Sequence, residues 1–125
     1  MQKHSRQRDA VYSALCSVKT HPTASEVYEM VRSTIPNISL ATVYRNLSVL
    51  SLNGKALALN AGDGQIHYDG DVSDHSHMFC EKCRRVVDID TPLRVDYSSV
   101  EDCEIHGYSV MFYGVCRNCL ANPDR

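Results

Sequence analysis

No other feature of this sequence limits its fold as strongly as two C-x-x-C pairs, Cys80 with Cys83 and Cys116 with Cys119. A gap of two residues lets a tight turn aim both thiolates at one ion, and Zn²⁺ prefers four such ligands in a tetrahedron. A redox-active dithiol and disulfides are the alternatives, but two independent pairs favour a structural zinc site. The segment between the pairs is longer than in most zinc ribbons, so we expect a small subdomain within it.

The length of 125 residues allows one domain or two small ones, and each half is near the size at which a hydrophobic core alone is marginal. A structural zinc ion supplies roughly 10–16 kcal/mol of apparent binding free energy, which meets that need. Reduced thiols suit the cytoplasm, and the sequence contains neither a long apolar run nor a signal peptide. We therefore expect a cytoplasmic protein without a membrane segment.

The net charge of −2 conceals two halves of opposite sign. Residues 1–60 contain seven basic and three acidic side chains, whereas residues 61–125 contain six basic and twelve acidic ones. The first half is therefore suited to approach a polyanion, and the second to hold cations. Because chance can produce such an asymmetry, it only adds to what the motifs indicate.

Three helices are predicted in the first half, over residues 6–18, 24–34 and 40–52. The sequence Thr23–Glu26 is a capping box for the second helix, and Ser39 can cap the third. The second and third helices are joined by a short turn. They form a candidate helix-turn-helix, whose last helix would enter the major groove of DNA.

Polar side chains near the start of the third helix could contact DNA: Ser39, Thr42, Tyr44, Arg45 and Asn46. Arg can bind guanine through two hydrogen bonds, and Asn can read adenine in the same way. Residues 55–60 and 65–68 then read as two strands around a Gly62-Asp63-Gly64 turn. This hairpin predicts the wing of a winged helix and favours DNA binding. The alternative is a three-helix unit whose polar side chains are only solvated.

The second half predicts strands over residues 75–79, 85–90 and 109–115 and a helix over residues 93–103. We therefore expect an α+β fold: an N-terminal winged helix-turn-helix, followed by a small α/β domain with an antiparallel sheet clasped by the four-cysteine zinc site. An exposed sheet edge in so small a domain favours a homodimer. The predicted units are a DNA-binding domain, an acidic hinge, and a dimerisation and metal-binding domain, at residues 1–68, 69–74 and 75–125.

Histidines and carboxylates outside the cysteine pairs predict a second, different metal site. The candidate ligands are His21, Asp69, His75, His77 and Asp88. Mixed imidazole and carboxylate ligands suit an exchangeable Fe²⁺, Mn²⁺ or Zn²⁺ ion, as a sensor requires. Taken singly, each has an ordinary interpretation, such as a helix-start contact, a turn residue or a solvated strand position. The sequence assigns no functional role to Cys16, Cys103, His67 and His106.

Over nearly its whole length the sequence resembles the ferric uptake regulator family. The resemblance rests on residues 21–28, 36–47, 75–83, 86–88 and 113–119. It implies an N-terminal winged helix, a C-terminal dimerisation domain, and repression of genes by the metal-loaded protein. The chain is most similar to the peroxide-sensing (PerR) branch, because all five ligand positions of that branch match. The iron-sensing branch usually has His-His-Asp-His before the first cysteine pair, and a Glu in place of the last aspartate.

The resemblance implies that Fe²⁺ or Mn²⁺ joins the two halves through His21 and fixes a closed dimer that binds a double-stranded DNA operator. With Fe²⁺ bound, peroxide generates an oxidant that attacks a ligand histidine, His21 or His75, and the repressor leaves DNA. With Mn²⁺ bound, the repressor is insensitive. Such a protein is a hinge with two states whose populations the metal biases.

The resemblance also implies DNA contacts. Tyr44 and Arg45 stand where the family contacts bases, and Lys3 stands where it contacts the minor groove or the backbone. Only residues 1–4 precede the segment that matches the first family motif, so we expect one DNA-contacting element to be shortened.

The principal alternative is an iron-, manganese- or zinc-responsive uptake regulator of the same family. A non-haem iron enzyme would need a substrate pocket, for which the chain is small. A redox enzyme would show reversible dithiol chemistry without stoichiometric zinc, and a zinc-stabilised interaction module would lack affinity for DNA. We therefore expect a regulator rather than an enzyme, with no small-molecule substrate beyond peroxide.

Overall fold

The computed structural model describes residues 3–73, 75–91, 93–98 and 100–123, and the side chains of these residues from Arg6 onwards. The elements in chain order are α1 (Lys3–Cys16), α2 (Ala24–Val31), α3 (Leu40–Leu52), β1 (Leu57–Asn60), β2 (Ile66–Asp69), β3 (Ser76–Cys80), β4 (Val86–Ile89), β5 (Phe112–Gly114) and α4 (Arg117–Ala121). The α+β fold class is therefore confirmed. Within the described ranges, no helix has the length and apolar character needed to cross a bilayer.

The predicted starts of α2 and α3 are confirmed by their caps, whereas α1 spans Lys3–Cys16 rather than the predicted residues 6–18. The Glu26 backbone N–H donates to the Thr23 hydroxyl at 3.3 Å, and the Glu26 carboxylate accepts from the Thr23 backbone N–H at 2.9 Å. The Ser39 hydroxyl accepts from the backbone of Thr42 at 3.1 Å. Each cap stabilises its helix by about 1 kcal/mol. Helix α2 ends at Val31, before the predicted residue 34. The backbone N–H groups that follow donate to the Val31 carbonyl and form a turn.

The helices and the second wing strand share one core. Its buried members are Val11, Leu15, Ala24, Val27, Val31, Ile38, Val43, Leu47, Leu50, Ala56 and Tyr68. Complete burial of a Val or Leu side chain contributes about 1.5–3 kcal/mol. Tyr68 belongs to β2, so the wing is fastened to the helices through its side chain.

The predicted wing is present as an antiparallel hairpin of β1 and β2, with Leu59 opposite His67. Gly62 and Gly64 have φ angles of 83° and 85°, a region in which side chains with a Cβ are strained. The chain just before α2 is bonded to β2, since the Tyr68 backbone N–H donates to the Pro22 carbonyl at 2.9 Å. The segment between α1 and α2 is thereby held against the wing.

The second sheet differs from the antiparallel sheet that the sequence predicts. Its order is β4-β3-β5, and β3 is antiparallel to β4 but parallel to β5. The long segment between β4 and β5 brings the chain back in the direction of β3, which the alternation of side chains within each strand does not encode. Helix α4 begins directly after Cys116, contains Cys119 and was not predicted from the sequence.

The predicted helix over residues 93–103 is wrong: residues 93–98 and 100–103 are not helical. Side chains take the backbone groups that a helix would need. The Asp96 carboxylate accepts from the Ser98 backbone N–H at 3.0 Å, a local turn that competes with a helix. The Tyr108 hydroxyl accepts from the Val95 backbone N–H at 2.9 Å and donates to the Leu93 carbonyl at 3.1 Å.

Candidate metal sites

The four cysteines of the two pairs form one cluster at the end of the sheet. The Sγ atoms of Cys80 and Cys119 are 3.8 Å apart, as are those of Cys83 and Cys116. A tetrahedron with Zn–S bonds of about 2.3 Å has S···S edges of about 3.8 Å, whereas a disulfide bond is about 2.05 Å long. All four thiols are free, so their geometry fits zinc and not disulfides.

Backbone groups prepare this cluster for a cation. The backbone N–H groups of Cys83 and Cys116 each donate to Cys80 Sγ at 3.4 Å and lower the pKa of that thiol to about 6. Burial and the neighbouring thiols raise the pKa of Cys119 to about 12. Four thiolates at this spacing therefore need a bound cation, and a closed set of sulfur ligands suits a structural Zn²⁺.

A second cluster lies between the wing and the second sheet. His21 Nε2 is 2.8 Å from Asp88 Oδ1 and 3.2 Å from Asp69 Oδ2. His77 Nε2 is 2.8 Å from the same Asp69 oxygen. His75 Nε2 is 3.1 Å from Asp69 Oδ2 and 2.9 Å from Asp88 Oδ1. The structure thus brings together all five side chains that the sequence singles out, and three imidazole nitrogens face two carboxylate oxygens.

Elements distant in the chain supply these groups. His21 comes from the segment between α1 and α2, and Asp69 ends β2. His77 lies on β3 directly opposite Asp88 on β4, and His75 precedes β3. The site is closed on the side of His21 and opens at Asp88, whose side chain is 36% exposed.

Charge and burial oppose each other in this second cluster. Burial lowers the pKa of His21, but the hydrogen bonds to Asp69 and Asp88 outweigh it and raise the pKa overall. Burial would raise the pKa of Asp69, but the hydrogen bonds from His21 and His77 hold it well below its ordinary range. The Asp69 carboxylate is therefore anionic. A divalent cation here would take the place of the protons on the imidazole Nε2 atoms, and the donor set suits Fe²⁺, Mn²⁺ or Zn²⁺.

The predicted DNA-contacting side chains are divided between two faces of α3. Tyr44 is 50% exposed, and Arg45 is exposed with its guanidinium donating to the Thr42 hydroxyl at 3.3 Å. Ser39 is exposed and serves as the helix cap. The side chain of Lys3 lies outside the described part of the chain.

Asn46 departs from its predicted role as a base-reading residue. It is 4% exposed, accepts from Arg8 Nε at 3.2 Å and donates to the Thr42 carbonyl at 3.0 Å. The reason is helical geometry: Asn46 follows the buried Val43 by three residues and shares its inner face. Its structural contact to Arg8 was missed, although that spacing could have indicated the buried position.

His67 is one of the residues to which the sequence assigns no role. It is buried, and its ring contacts both the His21 backbone carbonyl and the Asp63 carboxylate. Its position two residues before Asp69 on the same strand is the only sequence signal that connects it with the second cluster. The two remaining unassigned cysteines, Cys16 and Cys103, are exposed.

Known proteins share this architecture. Residues 2–113 match the profile of the ferric uptake regulator family. The peroxide-responsive repressor PerR of Staphylococcus epidermidis is 36% identical over 117 residues, which cover 90% of this chain and 78% of that protein. The peroxide stress regulator of Campylobacter jejuni aligns with a TM-score of 0.72 at 27% identity, over 94% of this chain and 91% of that one. The Helicobacter pylori ferric uptake regulator aligns with a TM-score of 0.71 at 20% identity, over 92% and 80%, and shows the shared fold alone.

Proposed function

This chain belongs to the ferric uptake regulator family, and from that membership we propose that it is a DNA-binding repressor that senses hydrogen peroxide. Members of the family are metal-responsive transcriptional regulators that bind DNA, typically as dimers, and they are not enzymes. The convergence of His21, Asp69, His75, His77 and Asp88 is the observation that carries the proposal. The 36% identity with a peroxide-responsive repressor favours this specificity over that of a metal-uptake regulator.

In this proposal the chain uses two metal ions differently. Zn²⁺ is held by the four cysteines and stabilises the second sheet. The histidine and aspartate cluster would hold Fe²⁺ or Mn²⁺, and Fe²⁺, when bound, would supply the redox chemistry for reaction with peroxide. His21 and His75 are the side chains that we propose are oxidised. His21 Nε2 is 2.8 Å from Asp88 Oδ1 on the second sheet. Modification of His21 would therefore break a link between this sheet and the segment that joins α1 to α2.

That link is the physical basis for control of DNA binding. We assign residues 1–68 to DNA binding, residues 69–74 to a hinge and residues 75–125 to dimerisation and metal binding. A cation bridging His21 and Asp88 would favour one arrangement of these units over others, as in any two-state element biased by a ligand. The exposed Tyr44 and Arg45 of α3 would then contact bases, and Lys3 would contact the minor groove or the backbone.

A second copy of the chain would bind at the sheet edge. Strand β5 is an edge strand among the described residues, and it exposes Phe112 and Tyr113. Val115 and Leu120 beside it are also exposed. An unpaired edge with apolar side chains is suited to pairing with a partner, which supports a homodimer. Because thiolates that bind zinc must stay reduced and the proposed partner is DNA, we place the protein in the cytoplasm.

Intact-mass measurement with peptide mapping tests the peroxide proposal. The Fe²⁺-loaded protein is treated briefly with peroxide, and the Mn²⁺-loaded protein is the matched control. We expect one added oxygen on His21 or His75 in the Fe²⁺ form alone, together with loss of DNA binding. His106 is an internal control, since its side chain is 79% exposed and outside the cluster. If metal controls DNA binding without any histidine oxidation, the protein is a metal-uptake regulator instead.

A further inference from the structure

His67 links the wing turn to the segment that carries His21. Its Nδ1 atom is 2.8 Å from the His21 backbone carbonyl, and its Nε2 atom is 2.9 Å from Asp63 Oδ2. Both side chains of the His67–Asp63 pair are nearly buried, at 8% and 7% exposure. The contact joins residues 46 positions apart in sequence, so it is a tertiary constraint on His21.

Both contacts of His67 require the ring to act as a donor. A backbone carbonyl only accepts hydrogen bonds. Although burial of Asp63 opposes it, the hydrogen bond from His67 lowers the pKa of that carboxyl group, so Asp63 is an anionic acceptor. Asp63 is itself fixed in the turn, because its other oxygen accepts from the Gln65 backbone N–H at 3.1 Å.

His21 needs such a constraint. Its φ angle is 55°, in the left-handed region that few residues other than glycine adopt. Its Nε2 atom faces the two carboxylates, while its Nδ1 atom is buried without a hydrogen-bond partner in the described structure. In the described structure, the imidazole ring is therefore oriented by hydrogen bonds at Nε2 alone. Its direction depends on the backbone at His21, and His67 is bonded to that backbone.

We propose that His67, supported by Asp63, is a positioning residue for the second metal site, which holds the His21 backbone so that the imidazole is directed at Asp69 and Asp88. The inference rests on the proposed function, because it concerns the binding of Fe²⁺ or Mn²⁺ by that cluster. Groups that orient metal ligands from outside typically change metal affinity by about 10–100-fold when they are removed. The side chain of His67 would then add a mechanical connection between the wing turn and the metal site.

Two substitutions of similar size separate the two bonds of His67. In His67→Asn, the amide nitrogen occupies a position close to Nδ1 and retains a donor for the His21 carbonyl. In His67→Gln, the amide lies near the position of Nε2 and retains only the contact to Asp63. The control is Asn60→Ala, which removes another hydrogen bond of the same turn, from the Gly62 backbone N–H at 3.1 Å, without touching His21.

The measurement is Mn²⁺ affinity of the zinc-loaded protein, read from the electron paramagnetic resonance signal of free Mn²⁺. Zinc content and the unfolding temperature without Mn²⁺ are recorded for each variant. We expect His67→Gln to weaken Mn²⁺ binding about 10–100-fold, while His67→Asn and Asn60→Ala stay within a few-fold of wild type. Equal losses in His67→Asn and His67→Gln that follow their unfolding temperatures would show a merely structural role and overturn the inference.

His77→Ala distinguishes failure of this inference from failure of the proposed function. If wild type binds Mn²⁺, His77→Ala does not, and His67→Gln binds as wild type does, only the role of His67 is refuted. Both ideas are refuted if the wild type does not bind Mn²⁺, or if His77→Ala binds Mn²⁺ as tightly as the wild type does. Should the His67 variants not fold, Asp63→Ala provides the test. We expect it to bind Mn²⁺ more weakly than Asn60→Ala, and equal affinities would overturn the inference.

Discussion

Loss of one zinc ligand should unfold the second sheet and leave the helices folded. The substitution is Cys116→Ser. Among the described residues around the sheet, the buried members of the apolar cluster are Ala61, Phe79 and Val86. Burial of the two larger side chains contributes about 3–6 kcal/mol. A zinc ion at the four cysteines would contribute roughly 10–16 kcal/mol, so it would be the larger source of stability there. The helical core has eleven buried residues and includes no cysteine of the cluster.

Hydrogen exchange monitored by mass spectrometry measures this difference by segment. In Cys116→Ser we expect rapid exchange of amides in β3, β4 and β5, retained protection in α1 to α3, loss of zinc and loss of the dimer. Cys103→Ser is the matched control, since Cys103 is an exposed cysteine outside the cluster. A zinc-free Cys116→Ser protein that remains dimeric, with protected sheet amides, would refute the reasoning.

Three further predictions concern DNA binding, capping and pH. Arg45→Ala should weaken specific DNA binding by about 1–3 kcal/mol, whereas Arg117→Ala in α4 should not, and an unchanged footprint would remove Arg45 from base recognition. Thr23→Ala should lower the free energy of unfolding by about 0.5–2 kcal/mol in denaturant titrations, and Ser33→Ala on the exposed surface should change it little. Burial lowers the pKa of His21, but two carboxylate partners raise it overall, so in the zinc-loaded protein without Fe²⁺ or Mn²⁺ this histidine stabilises the fold below the unfolded-state pKa of about 6.5. That contribution is lost as pH rises through the folded-state pKa, and zinc-loaded protein without Fe²⁺ or Mn²⁺ whose stability increases over this range would contradict the assignment.

The ligands of the two metal sites could not be predicted equally well from the sequence. The four cysteines were found because each pair is local and its chemistry is specific. His75 and His77 were found for the same reason. His21, Asp69 and Asp88 had ordinary interpretations when taken singly, and the structure adds that their side chains meet within hydrogen-bonding distance.

The wrong predictions came mainly from contacts with residues that are distant in the chain. Residues 93–103 have the length and apolar content of a helix, but the Tyr108 hydroxyl and the Asp96 carboxylate bond the backbone groups instead. Asn46 was expected to face DNA because polar residues usually face solvent, but Arg8 from another helix satisfies it inside the protein. Neither Tyr108 nor Arg8 can be identified as a partner from the residues next to these positions.

The sequence by itself determined the caps, the cysteine pairs and the wing turn, because each depends on residues no more than four positions apart. The tertiary structure decided the direction of β5, the contact of Asn46 with Arg8 and the contact of His67 with His21. These features depend on which distant segments pack together. The free energy that fixes them comes from hydrogen bonds and burial between those segments, so it has no local signature in the chain.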